Sequence, residues 1–417
     1  MIDRKTPPKF STQFNLALPS PEVYRLPNGI SVFWIKNVDQ PVVKIEVIYK
    51  GGKFFEPAIG VSFFTSALID KGTNNKTSKE IADELDRLGA QFEASSGLDY
   101  LSVSLYSLNR TLKSAWNLFA EILTEPIFPV EELELSKQIQ LQNLKINNEK
   151  NSFIASKLIR RNVFGQLHPY GRYLEEQDIL KIESQTIRKF FSDLTPHQVY
   201  ITGKIDPLEL NLFIKWLGQF NPKNESIITV QSVSEKKIER VEKSESLQSA
   251  IRLGKQSIKN NNADYAAALV YNHTLGGYFG SRLMKNIREE KGLTYGIYSS
   301  LNNFMSDAFF SIGADVNKEN IELTLSEIKK ELQELQQTAL SEEELTIVKN
   351  HLLGNLQLEL ANPFSITEKI KSINLNNLPV NFYQNLADTT LNVTSLDIQK
   401  VANDHFNHSD LFTVIVG

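Results

Sequence analysis

The chain has 417 residues, 45 Lys and Arg against 49 Asp and Glu, a formal net charge of −4 and no cysteine. This balance, with no basic cluster interleaved with aromatics, excludes nucleic acid and an anionic membrane surface as principal partners. The missing thiols exclude disulfides, thiolate metal sites and a cysteine nucleophile.

At roughly 150 residues per domain, the length suggests two or three domains. The opening "MIDRKTPPKFSTQFNLALPS" has no apolar stretch behind its charges, and no window approaches the ~18 apolar residues of a membrane span. A cytoplasmic chain is therefore expected, or a periplasmic one if a leader was removed. "GISVFWIKN" and "PVVKIEVIYKGG" are β-branched and aromatic runs split by Asn37-Val38-Asp39-Gln40, a pattern that predicts a hairpin. "GVSFFTSALIDKG" follows as a helix. Thr77 and Glu80 have capping-box spacing and Ile81, Leu85 and Leu88 share one face, so a second helix should run to Gly89. "FEASSGLDYLSVSLYSL" alternates like paired strands, and "TLKSAWNLFAEILTEP" returns to helical period. The stretch from Pro129 to Gly165 reads as one long helix beginning after the proline.

The second half repeats this order: "DAFFSIGADV" is strand-like, "NIELTLSEIKKELQEL" is amphipathic, and another long helix starts at "SEEELTIVKNHLLG". An offset of 212 matches Glu131 with Glu343, Glu132 with Glu344, Leu133 with Leu345, Lys137 with Lys349, Leu141 with Leu353, Asn143 with Asn355 and Leu144 with Leu356. Such self-similarity points to a duplicated unit. The expected architecture is α+β, with two homologous domains at 1–220 and 248–417, each with helices on one face of a mostly antiparallel sheet. The polar, charged stretch 221–247 is expected to be a linker.

Five segments in order, "YRLPNGISVFW", "GVSFFTSALIDKGTNNKTSKEIADELDRLGAQFEASSGLDYLSVSL", "EPIFPVEELELSKQ", "HPYGR" and "LGGYFGSRLMKNIREEKGLTYGIYSS", resemble the insulinase/pitrilysin family of zinc peptidases from about Tyr24 to Gly417. Active members carry H-x-x-E-H on the first helix: two His one turn apart on one face, a Glu between them as general base, and a third ligand from elsewhere. Aligned on "KGT", those positions hold Phe63, Ser66 and Ala67, and the family's distal Glu falls at Asn143. All four useful side chains are absent. None of the six histidines forms an H-x-x-x-H pair, so no metal site is expected in this chain. The local group Asp404 to His408 reads as a solvated helix end, His168 as part of a Pro-anchored turn, and His273 and His351 as satisfied helix residues.

The resemblance also implies an Arg and a Tyr seven residues apart that reach across a closed chamber to the other half's zinc site. Here they are Arg288 and Tyr295, intact. A guanidinium can hold a substrate carbonyl or carboxylate, and a phenol can donate to a developing oxyanion. Ahead of them, Gly276, Gly277 and Gly280 lack nucleotide-loop spacing and suit close packing or a flexible segment. The resemblance therefore implies a non-catalytic subunit. It would pair with a homologous catalytic sister carrying H-x-x-E-H, bind peptide substrate and leave zinc to the sister. The alternative is an inactive scaffold or peptide-binding protein with no peptidase partner.

Overall fold

The computed structural model describes residues 14–36, 40–222 and 230–417. The first half contributes β1 (Glu22–Arg25), β2 (Ser31–Ile35), β3 (Val42–Tyr49), α1 (Val61–Leu68), α2 (Ser78–Leu88), β4 (Gln91–Ser96), β5 (Leu101–Leu108), α3 (Leu112–Thr124), α4 (Val130–Asn148), α5 (Asn151–Phe164), α6 (Glu176–Lys181), α7 (Ser184–Ser192), β6 (Pro196–Thr202) and α8 (Pro207–Leu217). The second half contributes β7 (Ile238–Val241), β8 (Gln248–Gln256), α9 (Tyr265–Gly276), a π-helical segment (Met284–Glu290), β9 (Thr294–Asn303), β10 (Ala308–Asn317), α10 (Ile321–Gln337), α11 (Glu342–Glu359), α12 (Pro363–Leu375), α13 (Phe382–Asn392), α14 (Ser395–His405) and β11 (Phe412–Val416).

The two sheets run β1-β2-β6-β3-β5-β4 and β7-β11-β8-β10-β9. After the extra strand β1 they agree strand for strand. In each, one parallel pair (β2 with β6, β7 with β11) precedes an antiparallel remainder. The helices correspond too: α1 lies against α4 and α7 as α9 lies against α11 and α14. Each half's own helices cover one face of its mostly antiparallel sheet, as expected, and the long helices from Pro129 and Ser341 occupy equivalent places. The capping box at Thr77 and Glu80 and the left-handed Gly89 terminator are both formed.

Three expectations fail. β2 and β3 do not form a hairpin, because β6 lies between them. Val199, Tyr200 and Ile201 of β6 are fully buried, and only a strand from far along the chain completes that layer. Of the proposed turn, residues 37–39 lie outside the described residues. The long helix from Pro129 breaks at Glu149 and Lys150, where Lys150 turns extended (φ −86°, ψ 119°) in an Asn-rich stretch with weak helix preference. α5 then crosses to the other half, packing Ala155, Leu158, Ile159 and Val163 with Ala250, Val414 and Val416 of β8 and β11. Finally, the segment 221–247 is not linker throughout: β7 lies inside it and forms an edge of the second sheet, with Glu239 held by Arg161 (2.9 Å) and Asn162 (2.8 Å) of α5.

α12 makes the reciprocal crossing onto the first sheet. Ile370 joins Ile35, Ile48 and Tyr200, and Thr367 shares a 2.7 Å hydrogen bond with Thr202. Four alternating charges complete this contact. Lys44 binds Glu46 (2.9 Å) and Glu368 (3.1 Å), and Lys371 binds Glu46 (2.7 Å) and Glu368 (2.5 Å). Burial works against charge on Lys44 and Glu46, yet the opposite charges outweigh it, raising the lysine's pKa and lowering the carboxylate's.

Candidate functional site

α1 begins at Gly60, which has φ 96° and no side chain to cap the helix. The buried Glu56 supplies the cap: its Oε2 accepts from the backbone N–H groups of Gly60 (3.0 Å) and Ser62 (3.1 Å), a favourable place for an anion. Arg172, from "HPYGR", donates to Oε1 at 3.3 Å. Burial raises the Glu56 pKa, and Arg172 works against that rise. The cap holds α1 in place although the helix carries neither His nor Glu.

On this helix, Phe63 is half-buried and edge-on to Phe64 (5.1 Å between centroids). The Ser66 hydroxyl folds back onto the Phe63 carbonyl (2.8 Å), and Ala67 packs on the core. Asn143 lies exposed on α4, on a side that also carries exposed Leu135, Ile139 and Ile146. These four positions offer neither an imidazole nor a carboxylate. Among the described residues no group of three or more His, Asp or Glu could hold a metal ion. His168 instead accepts from the Tyr170 N–H (3.1 Å), and His405 pairs with Asp264 at the start of α9 (3.0 Å).

Two strands end the sheets on equivalent sides, β4 in the first and β9 in the second. On β4, Glu93 is exposed and accepts from Gln91 (2.7 Å). With Lys44, Glu46, Ser95, Ser102 and Ser104 it lines a polar groove of about 490 Å³. Arg288 and Tyr295 sit where the π-helical segment turns into β9. Gly292, at φ 63°, makes that reversal, and its N–H donates to the Arg288 carbonyl (3.1 Å). The Thr294 hydroxyl donates to the Asp315 carbonyl (2.7 Å), fixing the residue before Tyr295. Tyr295 is 90% exposed. Among the described residues, no carboxylate lies within ion-pair distance of Arg288 and no group hydrogen-bonds the Tyr295 hydroxyl. The Arg288 guanidinium lies 4.7 Å from the centre of the Phe279 ring.

The glycine segment thus belongs to the same site. A Cβ on Gly276 would lie 2.5 Å from the Ser299 nitrogen, so glycine lets the end of α9 press against β9; one on Gly277 would meet His273 at 2.7 Å. Gly280 faces the Tyr278 ring. Tyr278 stacks on His273 (4.7 Å, 12°) and lies 4.5 Å from His351. The two imidazoles share a 2.8 Å hydrogen bond, Nε2 of His273 to Nδ1 of His351. Burial, then the neighbouring His351, pushes the His273 pKa down to about 4. Sequence reasoning missed this pairing, the Glu56 cap and Phe279. The 212 offset could have hinted at the first, since it puts α9 and α11 where α1 and α4 stand.

Comparison with known proteins agrees with this geometry. Residues 31–176 match the model of the insulinase family (peptidase family M16), and residues 184–352 match that of the peptidase M16 inactive domain. The chain is 24% identical over 386 residues to "Uncharacterized zinc protease YmxG" of Bacillus subtilis, covering 91% of this chain and 93% of the relative. It is 25% identical over 399 residues to "Non-peptidase homolog YmxG" of Helicobacter pylori, covering 93% and 91%. A peptidase M16 inactive domain from Pseudomonas fluorescens superposes with TM-score 0.87 at 24% identity, over 96% of this chain and 98% of that one. The periplasmic protease PqqL of Escherichia coli superposes with TM-score 0.77 at 12% identity; all of this chain matches 48% of that longer chain. The chain belongs to the insulinase (M16) family.

Proposed function

From that membership, we propose that this chain is the non-catalytic, substrate-binding subunit of a two-chain zinc peptidase. The observation that carries this reading is the contrast between the two halves: α1 carries neither His nor Glu, whereas Arg288 in the π-helical segment and Tyr295 on the edge strand β9 have, among the described residues, no ion-pair or hydrogen-bond partner for their polar groups. The zinc and the general base would lie in a homologous sister chain, where the metal activates water. Arg288 would hold a substrate carbonyl or carboxylate, and Tyr295 would donate to the oxyanion as it develops. A chain matching about half of a longer protease suits one wall of a chamber made by two such chains. No described helix is long and apolar enough to cross a membrane. The second reading, an inactive scaffold, is favoured by the relative named a non-peptidase homolog.

The test is recovery of the tagged chain from its own host. A homologous chain with H-x-x-E-H should co-purify, and the assembly should cleave an internally quenched peptide in a chelator-sensitive way. Recovery without such a chain, or kinetics indifferent to both Arg288→Ala and Tyr295→Phe, would leave the scaffold reading.

A further inference from the structure

Phe279 is 59% exposed in a segment that is otherwise tightly held. On one side Tyr278 is stacked on His273 and lies tilted against His351. On the other, Arg282 makes a two-pronged bond to Glu344 of α11, both contacts 2.8 Å. The Ser281 N–H donates to the Tyr278 carbonyl (3.2 Å), closing the turn that carries Phe279. A single exposed aromatic is ordinary on a protein surface. This one is fixed from both ends, and its ring lies beneath an arginine that no carboxylate among the described residues holds.

We infer that Phe279 is a positioning residue for Arg288, a ring held by α9 and α11 that fixes the guanidinium before substrate arrives. The physical reasons are two. A guanidinium is attracted to the electron-rich face of an aromatic ring, by a modest amount at an exposed site. A long arginine stem loses much rotamer freedom on binding, and a ring that already restrains it lowers that cost. An acidic partner would restrain Arg288 too, but would neutralise the charge that substrate needs. Phe279 restrains it and leaves its hydrogen-bond donors free. This inference rests on the proposed role of Arg288 and adds how that side chain is aimed.

One readout needs only the full chain. In the ¹⁵N-labelled protein the Arg288 Nε–H resonance, assigned by its loss in Arg288→Lys, should be shifted upfield by the ring. The shift should vanish in Phe279→Leu and persist in Phe279→Trp. An unshifted resonance in the wild type overturns the contact. A second readout uses the assembly recovered from the host and a quenched peptide. Phe279→Leu should raise KM about two- to fivefold with little change in kcat, on the scale of an exposed cation–π contact; Phe279→Trp should restore most of it. If Arg288→Ala raises KM but Phe279→Leu does not, the positioning role fails and the proposed function stands. If neither changes the kinetics, both fail.

Discussion

The Tyr170 hydroxyl donates to Asp99 Oδ1 at 2.6 Å, and this pair of the first half receives the β9–β10 turn of the second. Asp99 lies in the turn between β4 and β5. Its other oxygen accepts from the Met305 N–H (2.9 Å) in the turn between β9 and β10, where Ser306 also donates to the tyrosine oxygen (2.9 Å). Burial raises the Asp99 pKa, with Tyr170 and Met305 opposing that rise as donors. Tyr170→Phe should therefore cost about 1–3 kcal/mol, the scale of a buried group losing its partner. Urea unfolding of the two proteins measures it; equal midpoints would mean that the joint is held by its aromatic packing alone.

Glu46 faces two ammonium groups in the contact between the first sheet and α12. Glu46→Gln leaves Lys44 buried beside one exposed carboxylate, Glu368. Breaking such a pair from one side costs about 3–5 kcal/mol. The same unfolding assay should show a lowered midpoint, and a loss below 1 kcal/mol would contradict the account.

The wild-type chain should take up no zinc at α1. Phe63→His, Ser66→Glu and Ala67→His together restore two ligands and a base, but a catalytic zinc usually needs three protein ligands. Adding Asn143→Glu should raise zinc affinity well above that of the triple variant. Competition with a chromogenic chelator checks this, and equal affinity for the two variants would show that Asn143 does not mark the third ligand position.

In the recovered assembly, Tyr295→Phe should lower kcat by roughly 10–1,000-fold, the scale of a lost oxyanion donor, with a smaller change in KM. Arg288→Ala should act mainly on KM. Size-exclusion profiles should stay unchanged, since both side chains are placed to meet substrate. A normal rate with Tyr295→Phe would remove the phenol from the mechanism.

His273 should titrate near pH 4 in the folded chain, as burial and His351 disfavour its charge. Its ordinary value is 6.5, so between pH 6.5 and 4 the unfolded chain binds more protons than the folded one. The stabilisation is complete above that window and is lost as pH falls through it, up to about 3 kcal/mol. An NMR titration of the imidazole tests this directly; a midpoint above 6 would refute it.

The sequence by itself determined most of the elements, the duplicated order and the lack of any imidazole or carboxylate at Phe63, Ser66, Ala67 and Asn143. These depend on local patterns: the Thr77 and Glu80 capping box, the 212-residue register of α4 and α11, and the side-chain chemistry of Phe63, Ser66, Ala67 and Asn143. Periodicity shows which residues face a core but not which core. Only the tertiary structure decided that β6 separates β2 from β3, and that α5 and α12 each cross to the other half's sheet. It likewise decided that Glu56 caps α1, that His273 meets His351, and that Phe279 lies under Arg288. The physical reason is the same in each case. Strand order, helix crossing and ring stacking are set by burial and close packing between segments far apart in the chain, and nothing in the spacing of neighbouring residues records them.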